Sequence, residues 1–271
     1  QEADIDAYRV ALNDALASLT EPMEVQAVAA RVLGMHLQTA RAVYFEVEHQ
    51  PDSDYYILRG DYHSQGTPGH AGRYRADDFG ATLYEEMRAG RTLVVNDVAT
   101  EPKLTQAEIK AHADVHVAAY ICVPLLKDGR HATFICVDQA EPRIWTQAEI
   151  AVVEETAERA WAAVESARYE QTLRQSEEKQ AFLLALSDTL RPLATPEEIM
   201  DTAVGMLGRQ LHVTQVGYAE TDDGQTYLDV LADWTEEGRL STVGQHPIPA
   251  HHVEAITSYQ AGKPWVVEDV E

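Results

Sequence analysis

The sequence predicts a mixed α+β protein made of two copies of one unit joined by a long helix, and three observations lead there. Leu12, Asp14, Leu16, Leu19 and Pro22 recur 174 positions later as Leu186, Asp188, Leu190, Leu193 and Pro196. Leu33, Gly34, Leu37 and Tyr44 return at the same offset as Leu207, Gly208, Leu211 and Tyr218, the mark of a duplicated unit. Asp128-Gly129 between two apolar runs supplies a hairpin, because a type I′ turn needs positive φ at both central residues. No Gly or Pro stands between Arg143 and Arg191, which leaves that stretch open to one long helix.

Further along, the offset falls to 172. Asp61-Tyr62 matches Asp233-Trp234, Gly72 matches Gly244, Ala89-Gly90 matches Ala261-Gly262, and Val94 to Val98 matches Val266 to Val270. A two-residue deletion therefore lies between Tyr44 and Asp61, where the polar stretch His49 to Asp54 faces Asp222-Asp223-Gly224 and a hairpin loop tolerates it. The first copy continues through the strands Tyr120 to Leu126 and His131 to Val137, whose counterparts the second lacks; unpaired sheet edges would follow, so further chain is expected after Glu271. The expected division is residues 1–168 for a complete first unit, 146–191 for the connecting helix and 176–271 for a truncated second unit.

Within one unit the elements follow in order. Val10 to Leu19 and Val25 to Leu37 carry apolar residues at helical spacing, with Pro22 in a first turn. Arg41 to Glu48 and Tyr55 to Tyr62 alternate like strands and are joined by the turn residues Pro51-Asp52-Ser53-Asp54. Gly66 to Gly72 reads as loop, Asp78 to Arg88 as helix and Thr92 to Asn96 as a short strand. Thr105 to Glu108 forms a capping box that opens a short helix.

Pairing Lys127 with Arg130 across the Asp128-Gly129 turn sets Cys122 opposite Ile135 and Cys136 opposite Ile121. Neighbours on a strand face opposite sides, so the thiols should diverge without a disulfide unless a bulge near Pro124 shifts the count. A second capping box, Thr146 to Glu149, opens the long helix. There Ile150, Val153, Ala157, Ala160, Val164 and Ala167 form a small a/d seam that a coiled coil or bundle would use. A continuous helix of about 45 residues would reach about 65 to 70 Å.

The balance of 45 acidic against 21 basic side chains, a net charge of −24, repels phosphate backbones and anionic headgroups. Nucleic-acid and membrane partners are disfavoured. No apolar run approaches the roughly 20 residues of a membrane span, and Gln1 to Tyr8 lacks the regions of a signal peptide, so a cytoplasmic location is expected. Two cysteines are too few for a disulfide framework or a cysteine zinc site.

The element order resembles the GAF family of small-molecule sensor domains. The resemblance rests on that order, on Ala89-Gly90-Arg91-Thr92-Leu93-Val94-Val95-Asn96-Asp97-Val98, and on the closing hairpin Val123-Pro124-Leu125-Leu126-Lys127-Asp128-Gly129. The run Trp145-Thr146-Gln147-Ala148-Glu149-Ile150 through Glu178 is similar to the exit helix of GAF domains in bacterial sensor histidine kinases. The resemblance implies an α/β sandwich, a central antiparallel sheet with helices on both faces and a pocket between sheet, middle helices and loops. Bilin photoreceptors of the related phytochrome kind need a cysteine near the middle helices, and neither cysteine stands there. The free methionine sulfoxide reductases of this family need paired cysteines in the pocket, which divergent thiols would not supply. The signature of cyclic-nucleotide-binding members is missing.

His112 and His116, four apart, would share a helical face as a metal pair does, yet no third ligand is evident and rim histidines are the expectation. His251-His252 is weaker still, and Gly66 to Gly72 has no strand-to-helix phosphate signature. No metal or cofactor is expected, beyond an unidentified small-molecule ligand. Arg59, Asp61, Tyr62, Phe79, Tyr84, Asp97, His116, Tyr120, Cys122 and Phe134 are the candidates for lining such a pocket, which wants apolar walls and a few placed polar groups; equally, they fill a core.

Two kinds of function follow. One is a sensory module of a bacterial signalling protein, most simply a histidine kinase, with a diguanylate cyclase or transcription activator as other outputs. The other is a ligand-free relay that dimerises through its helices. No nucleophile with an adjacent base and no phosphate loop points to catalysis by this chain.

Overall fold

The computed structural model describes residues 2–69, 72–221, 226–248 and 253–267, and the chain divides into two compact units, 1–174 and 175–271. Unit 1 opens with α1 (Glu2–Leu16) and α2 (Pro22–Leu37), followed by β1 (Arg41–His49), β2 (Asp54–His63) and β3 (Arg73–Arg75). A 3-10 turn at Ala76–Phe79, α3 (Ala81–Arg88), β4 (Leu93–Val95) and a second 3-10 turn at Val98–Thr100 come next. Then come α4 (Gln106–Asp114), β5 (Ala119–Lys127), β6 (Arg130–Gln139) and α5 (Gln147–Leu190). The helix expected from Asp78 to Arg88 is broken in two, because Gly80 takes a φ of 126° between the 3-10 turn and α3. β3, in a stretch to which the sequence assigned no element, pairs with β2.

The six strands form one antiparallel sheet in the order β3-β2-β1-β6-β5-β4. Alternation along its central strands serves two apolar layers. On one face Ala42, Tyr44, Ile121, Ile135 and Val137 pack with Leu12, Val25, Leu33 and Val153. On the other, Val43, Phe45, Tyr120, Cys122 and Phe134 form a second cluster with Tyr84 and Met87.

The stripe on α5 is used inside the protomer. Val153, Ala157, Ala160 and Val164 have no exposed surface, Ala167 has 2%, and Ile150 packs partly buried against the same core. Tyr8 of α1 hydrogen-bonds Thr156 at 2.5 Å, and Arg9 pairs with Glu155 at 2.9 Å. The expected dimer seam is therefore corrected to a core face, on which only Ile150 keeps part of its surface. The helix itself runs unbroken over 44 residues. Among the described residues no helix is long and apolar enough to cross a membrane.

Unit 2 comprises α6 (Pro196–Leu211), β7 (Gln215–Thr221), β8 (Tyr227–Thr235), β9 (Gly244–Pro247) and α7 (Val253–Gln260), with sheet order β7-β8-β9. It repeats the start of unit 1 in detail. α2 packs on β1 and β2 as α6 packs on β7 and β8. Both helices end in a left-handed residue, Gln38 and His212, each at φ 52°. Both hairpins carry an extra residue at the same place, Arg59 between the partners of Tyr44 and Phe45, and Leu231 between those of Tyr218 and Ala219. The two-residue deletion is bracketed by the pairs Val47 with Tyr56 and Thr221 with Leu228, hence at the hairpin turn. The matches at Glu268 to Val270, and His251-His252, lie outside the described residues.

The repeated glycine has a packing cause. A Cβ on Gly34 would stand 2.1 Å from the Tyr62 ring, and one on Gly208 would stand 2.0 Å from the Trp234 ring. Alanine normally favours a helix interior over glycine by about 1 kcal/mol. Here Gly34→Ala is expected instead to destabilise unit 1 by about 1–3 kcal/mol through overpacking, with Tyr62→Leu in the same chain restoring most of the loss. Denaturant unfolding of the single and double variants measures both; a neutral Gly34→Ala would refute the contact.

Candidate functional site

The second face of the unit 1 sheet is covered incompletely, and a cavity of about 100 Å³ remains beneath α3, α4 and the first 3-10 turn. Its floor follows from strand alternation: Val43 and Phe45 on β1, Tyr120 and Cys122 on β5, and Phe134, Cys136 and Asp138 on β6. Tyr56 and Tyr74 come in from β2 and β3, while Phe79, Tyr84, Met87 and His112 form the roof. The rings interlock. Phe45 and Phe134 stack at 4.9 Å, Tyr56 meets Phe134 edge-on at 4.6 Å, and His112 lies parallel to Tyr120 at 5.5 Å and edge-on to Phe79 at 5.3 Å.

The thiols do not diverge. β5 and β6 slip by one residue between Leu125 and Leu126, leaving Ala132 as the extra residue, so that Cys122 faces Cys136 with Cα atoms 4.1 Å apart. They form a disulfide in the cavity floor, correcting the register expected from the turn alone. The argument against paired pocket cysteines falls with it.

Beside the disulfide sits a buried ion pair. Arg41 Nε reaches Asp138 Oδ1 at 2.9 Å, both side chains being 2% exposed. The same guanidinium donates to the carbonyls of Pro68 at 3.2 Å and His116 at 2.9 Å. The carboxylate and the two carbonyls together compensate the buried guanidinium.

The roof is tied down by Tyr84, whose hydroxyl donates to Asp54; Asp54 also holds His49 Nδ1 at 2.8 Å. Behind this contact His131 is 2% exposed, close to Tyr56, Tyr84 and Phe134, and among the described residues no group meets hydrogen-bond geometry with either ring nitrogen. Burial pushes its pKa down to about 4, with Asp54 opposing the shift and His49 and Arg88 adding to it. His112 is also shifted down by burial, while its Nδ1 lies 2.8 Å from the Glu108 carbonyl.

Of the residues expected to line a pocket, Phe79, Tyr84, Tyr120, Cys122 and Phe134 do so. Arg59 is the extra residue of β2 and pairs with Glu46 at 2.8 Å. That extra residue turns the following part of β2 over, so Tyr62 packs against the helical core and Asp61 is exposed. Asp97 caps the second 3-10 turn, accepting from the Ala99 amide and the Thr100 hydroxyl, each at 3.0 Å. His116 turns the chain at φ 58° with its side chain exposed. His112 is a core residue rather than a rim one, and among the described residues no three metal-ligating side chains converge. Phe45, Tyr56, Cys136 and Asp138 were missed, although the i, i+2 pattern through Phe134 marks the last two.

Two outcomes follow. An unfolded imidazole takes its proton near pH 6.5, the folded His131 only near 4. Between these values the unfolded state binds more protons, so stability is lost as the pH is lowered, by up to about 1.4 kcal/mol per unit. Unfolding curves from pH 7 to 4 should flatten in His131→Phe; an unchanged slope would contradict the buried neutral ring. The Cys122–Cys136 bond spans 14 residues, so its reduction should cost about 3 kcal/mol. Denaturation with and without reductant reads that loss, and thiols alkylated in unfolded, unreduced protein would disprove the bond.

Known proteins agree with this architecture. A sequence model described as GAF domain matches residues 21–164, while no curated protein matches the sequence. Among solved structures, the bacteriophytochrome RpBphP3 from the photosynthetic bacterium R. palustris is similar at 12% identity and TM-score 0.69, over 97% of this chain and 53% of that one. The Stigmatella aurantiaca phytochrome photosensory core module is similar at 13% and 0.62, over 94% and 52%. The phycoerythrobilin-bound GAF domain from a cyanobacterial phytochrome stands at 14% and 0.50, over 63% and 97%. At such identities the likeness is one of fold. The family match takes in more than half of the chain: the chain belongs to the GAF domain family.

Proposed function

We propose that this chain is the sensory region of a bacterial signal-transduction protein, working in the cytoplasm, in which unit 1 takes a small ligand and α5 relays its binding to a histidine kinase output. The observation that carries the reading is the half-open, aromatic-walled cavity under a roof of short elements. Ligand sites are concave and mostly apolar with a few placed polar groups, and this one has Asp138, His112 and tyrosine hydroxyls in its wall. A ligand changes the output only by its differential affinity for two states. The relay role is supported by the first turns of α5, which form part of the unit 1 core on the other face of the same sheet.

A bilin, as in the structurally similar phytochromes, does not fit these residues. Both cysteines are joined to each other, leaving no thiol for a thioether. The cavity of about 100 Å³ is also far below the roughly 300–1,000 Å³ of sites for drug-sized ligands. The partner in this reading is a second copy of the chain. Its contact would use exposed α5 residues such as Tyr169 and Leu173 rather than the buried stripe.

A thermal-shift screen of small molecules against the full chain tests the proposal. Ligands at about 100 times their Kd should stabilise unit 1 by about 2.7 kcal/mol, a rise of several degrees in its Tm. Ala76→Leu, which extends a side chain from the cavity wall, should abolish the rise. Hits that survive Ala76→Leu, or a screen with none, would remove the basis of the reading.

A further inference from the structure

The polar groups of the cavity wall are few, and three have no hydrogen-bond partner among the described residues. His112 is 5% exposed, and its Nδ1 lies 2.8 Å from a carbonyl oxygen. That nitrogen must carry the ring hydrogen, which leaves Nε2 a lone-pair acceptor. Among the described residues nothing donates to Nε2. Tyr56 and Tyr120 are 8% and 5% exposed, and no described residue hydrogen-bonds either hydroxyl. Polar atoms that face an apolar pocket are usually paired with protein, water or a ligand. Three of them on one cavity, an acceptor and two hydroxyls, ask for a guest that both donates and accepts.

Charge and size narrow the guest further. No Lys or Arg lines the cavity, and Asp138, its single formal charge, is already bonded to Arg41. A carboxylate or phosphate would meet no counter-charge and would lie near a carboxylate in a poorly solvated space. A cation would lie near the Arg41 guanidinium. An apolar cavity of about 150 Å³ holds one benzene ring, so about 100 Å³, open on one side, admits at most a single ring that protrudes in part. The aromatic walls favour a flat π-system, stacked or edge-on.

We propose that the unit 1 cavity binds a small uncharged phenol-type aromatic, its hydroxyl donating to His112 Nε2 and accepting from a tyrosine hydroxyl. The inference rests on the reading of the cavity as a ligand site and adds the ligand's class. Phenol and toluene are nearly the same shape, and benzoate adds a charge.

Calorimetric titration of the full chain with these three probes separates the cases. Phenol should bind about tenfold tighter than toluene, the worth of one net hydrogen bond, and benzoate should not bind. His112→Phe, which keeps a ring and loses the acceptor, should bring phenol down to the toluene level. Because the phenol-to-toluene ratio is read on the unaltered chain, it decides the question even where His112→Phe folds poorly. Equal affinity for phenol and toluene overturns the hydrogen-bond assignment. Preference for benzoate, or screen hits that are all anionic or larger than one ring, overturns the class and leaves the sensory reading standing. Silence from every probe and from the screen overturns both.

Discussion

Two extra residues in otherwise regular strands decide which side chains meet the helices and which meet the cavity. Every central strand of unit 1 is buried on both faces, so a shift of one position exchanges a strand's two sets of side chains. At Arg59 the shift sends Tyr62 to the helical layer while Tyr56 stays on the cavity side. At Ala132 it brings Cys136 onto the same face as Cys122. The floor of the cavity, with its disulfide and its aromatic stack, exists in this arrangement only because both irregularities are present. The first recurs at Leu231 in unit 2, which marks it as part of the unit's design.

The buried Arg41–Asp138 pair joins the sheet to the loops at one end of the cavity. Its guanidinium holds the Pro68 carbonyl of the glycine-rich loop and the His116 carbonyl at the turn into β5. Desolvating both charges is costly, and removing one partner of such a pair typically costs about 3–5 kcal/mol because the other is left uncompensated. The pair also neutralises the one carboxylate of the cavity wall, making the site electrically quiet despite a chain charge of −24. Net charge describes long-range attraction and solubility; it says little about a dry interior.

Duplication explains the helical layer better than the cavity. Gly34 under Tyr62 and Gly208 under Trp234 are one packing solution used twice, with a larger ring in the second copy. The cavity of unit 1 needs β5 and β6, and unit 2 as described has a sheet of three strands. Helix, left-handed cap, bulged hairpin and short edge strand form the shared part. The chemistry of the candidate site belongs to the part described only in unit 1.

Local signals determined the elements and their order. Capping boxes at Thr105 and Thr195 satisfy orphan amides within four residues, and the Asp128-Gly129 turn needs only its own backbone preference. The absence of Gly and Pro permitted α5, and the repeat showed two units. What those signals could not carry was facing. A seam of small apolar residues on α5 is equally suited to a partner chain or to the protomer's own core, and only contact with Leu12, Val25 and the sheet chose the core. Turn chemistry sets the first pair of a hairpin, whereas the slip at Ala132 arises from packing several residues away. His112 reads in sequence like any surface imidazole; its place against Tyr120 and Phe79 is a product of the α4 roof closing on the sheet. Backbone preference is local and was legible, while burial is a property of the whole unit and was decided only when the layers came together.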